Sequence, residues 1–302
     1  MLSVPCAEGT GVTNHSHSAP PIVLTIAGFD PSCGAGTAAD LKTLAAHNCY
    51  GIAAITALTV QSTQGVKAVH ATPSAALRAQ IEALLEDSAV AAVKIGMLAN
   101  RANAAVVGEI LDKNPLPNVV LDPVLQPSSG ATDLMEPSGV KYLRDELLKR
   151  ATLVTPNVPE AEALLGMEIR DVAAMEAAAR AMVERGARAA LVKGGHLEKP
   201  VDVLFDGAEV VRFEGERVRT DNSHGSGCTL SSAIAAQLAN GKALREAVML
   251  AKVYVQKAME HAYATGKGAG PLNHFFRSQV ESAPRGVHAE ELHAVHAPPA
   301  ER

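Results

Sequence analysis

Six short apolar runs, each followed by a stretch with helical spacing, limit this chain to few folds. Ile22–Ala27, Ile52–Val60, Ala91–Ile95, Val119–Asp122, Leu153–Thr155 and Ala189–Lys193 are aliphatic and rich in β-branched residues. They lack the strict polar alternation of a strand with one wet face, so they read as strands buried on both sides. Between them, residues 36–48, 74–87, 101–113, 137–149, 158–166 and 172–185 carry helical patterns. The last holds a clear apolar stripe from Ala173 to Met182, with Gly186 as its stop. This βαβα rhythm predicts a mostly parallel sheet with helices on both faces. Further on, Val201–Phe205 and Glu209–Phe213 flank Asp206-Gly207, a two-residue hairpin signal that adds an antiparallel edge near the C-terminal side. Two helices, near 228–239 and 243–264, close the pattern. With 47% apolar residues among 302, no internal repeat and no linker, residues 22–276 read as one domain.

The two ends differ from this body. Residues 1–21, rich in Gly, Ser, Thr, His and Pro, read as a flexible leader in which His15 and His17 are solvated rather than metal-binding. Residues 277–302 read as a polar, Pro/Ala-rich tail. The net charge of −5 and the absence of a long basic run argue against nucleic acid or an anionic membrane as partner. There is no apolar run of transmembrane length and no signal-peptide pattern. Cys6, Cys33, Cys49 and Cys228 form no CxxC pair. Together these features point to a reduced, cytoplasmic setting.

In open α/β sheets, ligands bind beyond the carboxyl ends of the strands. The polar residues of interest fall there: Gly28-Phe29-Asp30, Gln61, Gly96-Met97, Asp122-Pro123, Asn157 to Glu160, and Lys193-Gly194-Gly195-His196. The turn Gly225-Ser226-Gly227-Cys228 then opens a helix marked by Leu230, Ala233, Ile234 and Leu238. Such a turn aims backbone N–H groups and the positive end of a helix at one point, a site for phosphate. Cys228 in the first turn is expected to be shifted toward thiolate by the helix field. The plain alternative is a tight turn beside a buried, inert cysteine.

The first loop, Gly28 to Gly36, is neither a P-loop nor a GxGxxG fingerprint, and Asp30 and Ser32 there could simply cap the turn. Asp122 and Glu160 are hard oxygen donors suited to Mg²⁺, against readings as a turn cap and a first-turn helix carboxylate. Lys193 offers a point charge for a phosphate. His196 and His224 have weaker claims, as satisfied loop histidines.

In this order, the segments Ala27-Gly28-Phe29-Asp30-Pro31-Ser32, Gln61-Ser62-Thr63-Gln64-Gly65-Val66, Lys94-Ile95-Gly96-Met97-Leu98, Leu121-Asp122-Pro123-Val124, Thr155 to Ala161, Lys193-Gly194-Gly195-His196, His224 to Leu230 and Gly268 to Phe275 resemble the hydroxymethylpyrimidine/phosphomethylpyrimidine kinases, over about residues 23–276. The resemblance implies a ribokinase-like three-layer α/β/α sandwich. It also implies an enzyme using ATP and Mg²⁺ to phosphorylate 4-amino-5-hydroxymethyl-2-methylpyrimidine, and then its monophosphate, for thiamine biosynthesis. By the same resemblance Gln61 meets the aminopyrimidine edge, and Ala35, Asp40, Met97 and Val124 wall or shape the substrate pocket. Lys193 and Asn157 match the nucleotide site, Asp122 and Glu160 the magnesium region. Cys228 matches the catalytic base and Gly225, Ser226 and Gly227 the phosphoryl cradle. A homodimer or larger assembly is implied as well. Phe29 and Cys33 stand where smaller residues are commoner in the family, which bears on substrate fit. The rival readings are a pyridoxal or pyridoxine kinase of the same fold, and a silent ligand-binding regulator that keeps the pocket.

Overall fold

The computed structural model of the chain describes residues 19–127, 133–195 and 200–281. Cys6, His15, His17, His196 and most of both expected tails lie outside the described residues. Among the described residues nine strands form one sheet: β1 (Ile22–Phe29), β2 (Tyr50–Ser62), β3 (Gly65–Ala71), β4 (Val90–Ile95), β5 (Val119–Leu121), β6 (Leu153–Val154), β7 (Ala190–Gly194), β8 (Val201–Phe205) and β9 (Val210–Glu214). Their spatial order is β3-β2-β1-β4-β5-β6-β7-β8-β9. Strands β2, β1, β4, β5, β6 and β7 are mutually parallel, whereas β3 and the β8–β9 hairpin pair antiparallel at the two edges.

Helices cover both faces, and alternation along each strand decides which face a residue serves. On one side Leu24, Val93, Leu121, Val154 and Val192 pack against α2 (Ser74–Asp87), α3 (Arg101–Lys113), α5 (Val158–Leu165) and α6 (Val172–Glu184). On the other, Val23, Ala92, Val120, Leu153 and Leu191 meet α1 (Gly36–Ala46), α7 (Ser226–Ala239) and α8 (Leu244–Glu260). Consecutive residues facing opposite cores is why these strands read as unbroken apolar runs. The remaining helices are α4 (Pro137–Tyr142) and α9 (Phe276–Glu281).

Most expected elements are present, with four differences, one being α9, which runs into the segment expected as a tail. The segment expected as one helix over 137–149 runs through α4 into a π turn at Leu143–Leu147 and a 3₁₀ turn at Leu148–Arg150. Leu143, Leu147 and Leu148 are all buried there, so one wide turn sends three leucines into the same core. Strand β3 was not anticipated, and it gives the sheet a second antiparallel edge. The last long helix stops at Glu260 rather than near 264.

The chain leaves β1 toward β2 on one side, and returns to β4 on the other. That reversal opens a crevice at the carboxyl ends of β1 and β4, where open α/β sheets bind ligands.

Candidate active site

A cleft of about 910 Å³ lies at these strand ends. It is lined by Ala35 from the β1–α1 loop, Gln61 of β2, Met97 after β4, and Asp122 and Val124 after β5. Asn157 and Glu160 reach it from the start of α5, Lys193 from β7, and Gly225 to Cys228 from the start of α7. Every expected site residue but one therefore faces the same space. Asp40 is the exception. It is fully buried below the cleft, so it shapes the site from beneath and does not line it.

Two loops make the floor by packing backbone on backbone. Gly225 has φ of 82° and precedes α7 without any side-chain cap. A Cβ on Gly225 would overlap the carbonyl oxygen of Gly34, so the α7 turn and the β1–α1 loop approach as closely as glycine allows. Ser226 donates its N–H to Ser223 O at 3.2 Å, so the opening turn is locally closed. The N–H groups of Gly227 and Cys228 then belong to the first turn, whose donors have no partner within a helix. A methyl on Gly227 would stand 3.2 Å from Lys193 Nζ and 3.8 Å from Asp122 Oδ2, which puts the ammonium and the carboxylate directly beside the helix start.

Lys193 donates to Asp122 Oδ1 at 2.9 Å. Thr155 Oγ1 donates to the same oxygen at 3.0 Å, and Ser231 Oγ to Oδ2 at 3.2 Å. Burial alone would raise the Asp122 pKa, but the Lys193 and Lys94 ammoniums outweigh it and hold the group ionised, below the usual carboxylate range. Asp122 is thus no turn cap. Burial likewise works against charge on Lys193, but Asp122 and Glu160 overcome it and raise its pKa.

Asn157 and Glu160 do two jobs. Asn157 accepts the Glu160 N–H at 2.9 Å and Glu160 accepts the Asn157 N–H at 2.8 Å, a reciprocal capping box at the start of α5. The helix-capping reading is therefore correct, and Glu160 still faces the cleft. Burial first, then the nearby Asp122 charge, raises its pKa to about 7 against the pull of Lys193. No cluster of three metal-ligating side chains occurs among the described residues. Mg²⁺, however, is commonly held by one or two carboxylates with substrate phosphates and water completing its shell. Asp122 and Glu160 fit that demand.

A consequence for stability follows. A carboxyl with a folded-state pKa above its ordinary value costs stability as pH rises from about 4.5 to about 7. Glu160→Gln keeps the capping box, so at pH 8 the free variant should be more stable than the parent by roughly 1–3 kcal/mol. The gain should vanish below about pH 4.5, while phosphoryl transfer is lost. Melting curves across pH 4–8 test this; a variant less stable at pH 8 would overturn it.

Cys228 differs from expectation. Burial raises its pKa to about 11, with Lys94 opposing and Asp40 and Asp122 reinforcing the shift. The helix field does not prevail over desolvation, so the group is a neutral thiol at pH 7.

Two parts of the site were only partly visible in the sequence. Lys94 of β4 is fully buried and donates to both Asp40 oxygens, at 2.9 and 2.8 Å, and Asp40 also accepts from Thr25 at 2.6 Å and Ser232 at 2.8 Å. A lysine inside an apolar strand was the available signal, since buried ammoniums require a partner. Asp30 does cap its own loop, accepting from the N–H groups of Ser32, Gly34 and Ala35. It also holds His224 Nε2 at 2.9 Å. His224 in turn lies 3.1 Å from the Gln61 amide, so it is not a bystander.

A doubly covered parallel sheet, a helix N terminus opening on the cleft, and a lysine beside two carboxylates form a site suited to holding phosphate groups. Comparison with known proteins narrows this further. The family model described as phosphomethylpyrimidine kinase matches residues 30–273. The chain is 45% identical over 261 residues to a hydroxymethylpyrimidine/phosphomethylpyrimidine kinase of Rhizobium meliloti, covering 85% of this chain and 97% of that one. It is 44% identical over 259 residues to the thiamine biosynthesis bifunctional protein ThiED of Geobacter sulfurreducens, again over 85% of this chain, and it spans 53% of that protein's length. Similar solved structures include the Staphylococcus aureus pyridoxal kinase in complex with AMP-PCP and pyridoxal, with a TM-score of 0.77, 33% identity and coverage of 85% of this chain and 94% of that one. Another is a phosphomethylpyrimidine kinase from Clostridium difficile, with a TM-score of 0.72, 39% identity and coverage of 79% and 99%. The chain belongs to the phosphomethylpyrimidine kinase family, whose members are ATP-dependent kinases.

Proposed function

We propose that this protein transfers the γ-phosphoryl group of ATP to the hydroxymethyl arm of 4-amino-5-hydroxymethyl-2-methylpyrimidine. It then phosphorylates the resulting monophosphate, giving the diphosphate used in thiamine biosynthesis. The observation that carries the reading is convergence in one cleft. Gln61, able to donate and accept side by side, occupies the substrate end; Lys193, Asp122, Glu160 and the α7 turn form the phosphate end.

In this reading Ala35, Met97 and Val124 sandwich the flat ring. Lys193 and the first-turn N–H groups of α7 hold the transferring phosphoryl group, and Asn157 shapes the nucleotide side. Mg²⁺, held by Asp122 and by Glu160 directly or through water, would neutralise charge on the nucleotide phosphates. Phosphoryl transfer needs mostly positioning and charge stabilisation, which these fixed donors supply. In the first step the thiolate form of Cys228, a minor fraction near neutrality, takes the proton of the attacking hydroxyl and becomes the thiol. In the second step the acceptor is a phosphate oxygen, already ionised, and needs no base. We further infer a cytoplasmic enzyme acting as a homodimer or larger assembly. No helix among the described residues is long and apolar enough to cross a membrane.

The test is ADP release, with product analysis, on the aminopyrimidine, its monophosphate and pyridoxal. Turnover of both pyrimidines to a diphosphate supports the reading. Turnover of pyridoxal alone overturns it in favour of a pyridoxal kinase, and no turnover of any favours a binding protein.

A further inference from the structure

The Gln61 amide is held from both ends. The Nε2 position lies 3.1 Å from His224 Nε2 and the Oε1 position 3.1 Å from Thr59 Oγ1, and turning the carboxamide over exchanges the two. Oxygen and NH₂ have the same shape in a carboxamide, so their partners decide which is which.

Asp30 settles the question. It is 3% exposed, and its carboxylate already accepts from three backbone N–H groups and the Ser32 hydroxyl, as an ionised, acceptor-only group does. His224 Nε2, 2.9 Å from Asp30 Oδ2, must therefore carry a hydrogen. An NH₂ of Gln61 facing that N–H would set donor against donor. The end near His224 must be Oε1, and the NH₂ end faces Thr59. Thr59 accepts from it while donating its own hydroxyl hydrogen to Phe29 O at 3.0 Å. No donor in this chain of groups then faces another donor: the single Nε2 hydrogen lies between Asp30 Oδ2 and Gln61 Oε1, and one N–H of the Gln61 NH₂ stays free. The ring of His224 is backed by Gly34, where a Cβ would overlap it.

We propose that His224, anchored by Asp30, fixes the Gln61 amide with its oxygen toward the α7 turn, and so makes the site selective for a pyrimidine with an amino group beside its hydroxymethyl arm. This rests on the substrate reading above. The amino group at C4 adjoins the arm-bearing C5, so it lies on the phosphoryl-transfer side, where the residue following His224 begins the Gly225–Cys228 turn. It donates to Oε1, and ring N3 accepts from the free N–H of the NH₂. A 4-oxo pyrimidine presents the reverse pattern, acceptor at C4 and N–H at N3. A carboxamide free to turn over would serve both patterns, whereas a fixed one serves only the first. Gln61 binds; His224 and Asp30 position it.

The test compares kcat/KM for 4-amino-5-hydroxymethyl-2-methylpyrimidine with that for its 4-oxo counterpart. The parent enzyme should favour the amino compound by about 10²-fold or more, since a site built for one hydrogen-bond pattern rejects its reverse. His224→Phe should bring the two within about tenfold, mostly through KM. His224→Gln, whose side-chain N–H reaches the position of Nε2–H, should restore the preference. Full discrimination in His224→Phe overturns the proposal, as does equal use of both compounds by the parent. Should His224→Phe fail to fold, Thr59→Val frees the other end of the amide and should relax selectivity in the same direction. ¹⁵N spectra of histidine-labelled protein, assigned by the signal missing in His224→Gln, read the Nε2 hydrogen directly. An unprotonated Nε2 overturns the proposal whatever the substrate proves to be, while a protonated Nε2 with turnover of pyridoxal alone faults only the substrate reading.

Discussion

Replacing Cys228 by alanine should slow phosphorylation of the hydroxymethyl group by about 10²- to 10³-fold and phosphorylation of the monophosphate by less than about tenfold. The asymmetry follows from the two acceptors, since only the alcohol has a proton to lose. A thiol whose proton stays on until about pH 11 is a base only in its rare ionised form. The first step should therefore accelerate by roughly tenfold per pH unit above neutrality, and the second should not follow. Cys228→Asp installs a base that is ionised throughout this range. It should flatten the pH profile of the first step and spare that step relative to the second, where a fixed carboxylate repels the anionic acceptor. Separate kinetics with each substrate, from about pH 7 to pH 9, provide the measurement. Equal losses in both steps for Cys228→Ala, or a first step that ignores pH, would remove Cys228 from the role of base. The thiol's neutrality is then the useful property: it tolerates the phosphate that an aspartate would oppose.

The second large effect concerns the ion pair beneath the cleft. Lys94→Met strands the Asp40 carboxylate, and Asp40→Leu strands the Lys94 ammonium, each at a fully buried site. Each single replacement should cost about 3–5 kcal/mol of stability, because breaking a buried pair leaves one charge uncompensated. The pair replacement Lys94→Met with Asp40→Leu should recover most of that loss, although Thr25 and Ser232 then lose their acceptor. Denaturant midpoints at pH 7 for the four proteins form the cycle. Additive losses in the pair replacement would mean that the two groups do not act as a pair. The Lys94 ammonium also lowers the Cys228 and Asp122 pKa values. Asp40 raises the Cys228 pKa, so the pair replacement removes two opposing charges and should slow the first phosphorylation less than Lys94→Met alone.

The parallel body of the fold and the strand-end placement of the site were legible because they rest on one-dimensional signals. Ala91–Ile95 reads as a buried strand from its composition, and Asp206-Gly207 reads as a hairpin turn from its dihedral needs. Strand β3 was missed because Gly65–Ala71 is half exposed and short, and pairs with β2 across a turn, Thr63-Gln64, that lacks the Asn-Gly or Asp-Gly signature. At the site, residues such as Asp122, Glu160 and Lys193 announced themselves by standing at strand or helix ends. Asp40 did not reveal its burial, since its partners Lys94, Thr25 and Ser232 come from three other elements. The Cys228 thiol was misjudged for a related reason: the helix field is local and visible in sequence, whereas desolvation depends on everything packed around the group. His224 was undervalued because its role lies in whom it touches, not in its neighbours along the chain.

The bond between His224 and Asp30 joins residues 194 positions apart. Its consequence concerns synthesis and folding. The β1–α1 loop leaves the ribosome early, but the turn that completes its half of the cleft emerges only after some three-quarters of the chain has been made. An isolated N-terminal half would hold Gln61, Met97 and Asp122 on a sheet with one edge open and no anion-binding turn. Substrate and nucleotide can stabilise only the finished domain, so they act on folding as a final clasp and offer no help to earlier intermediates.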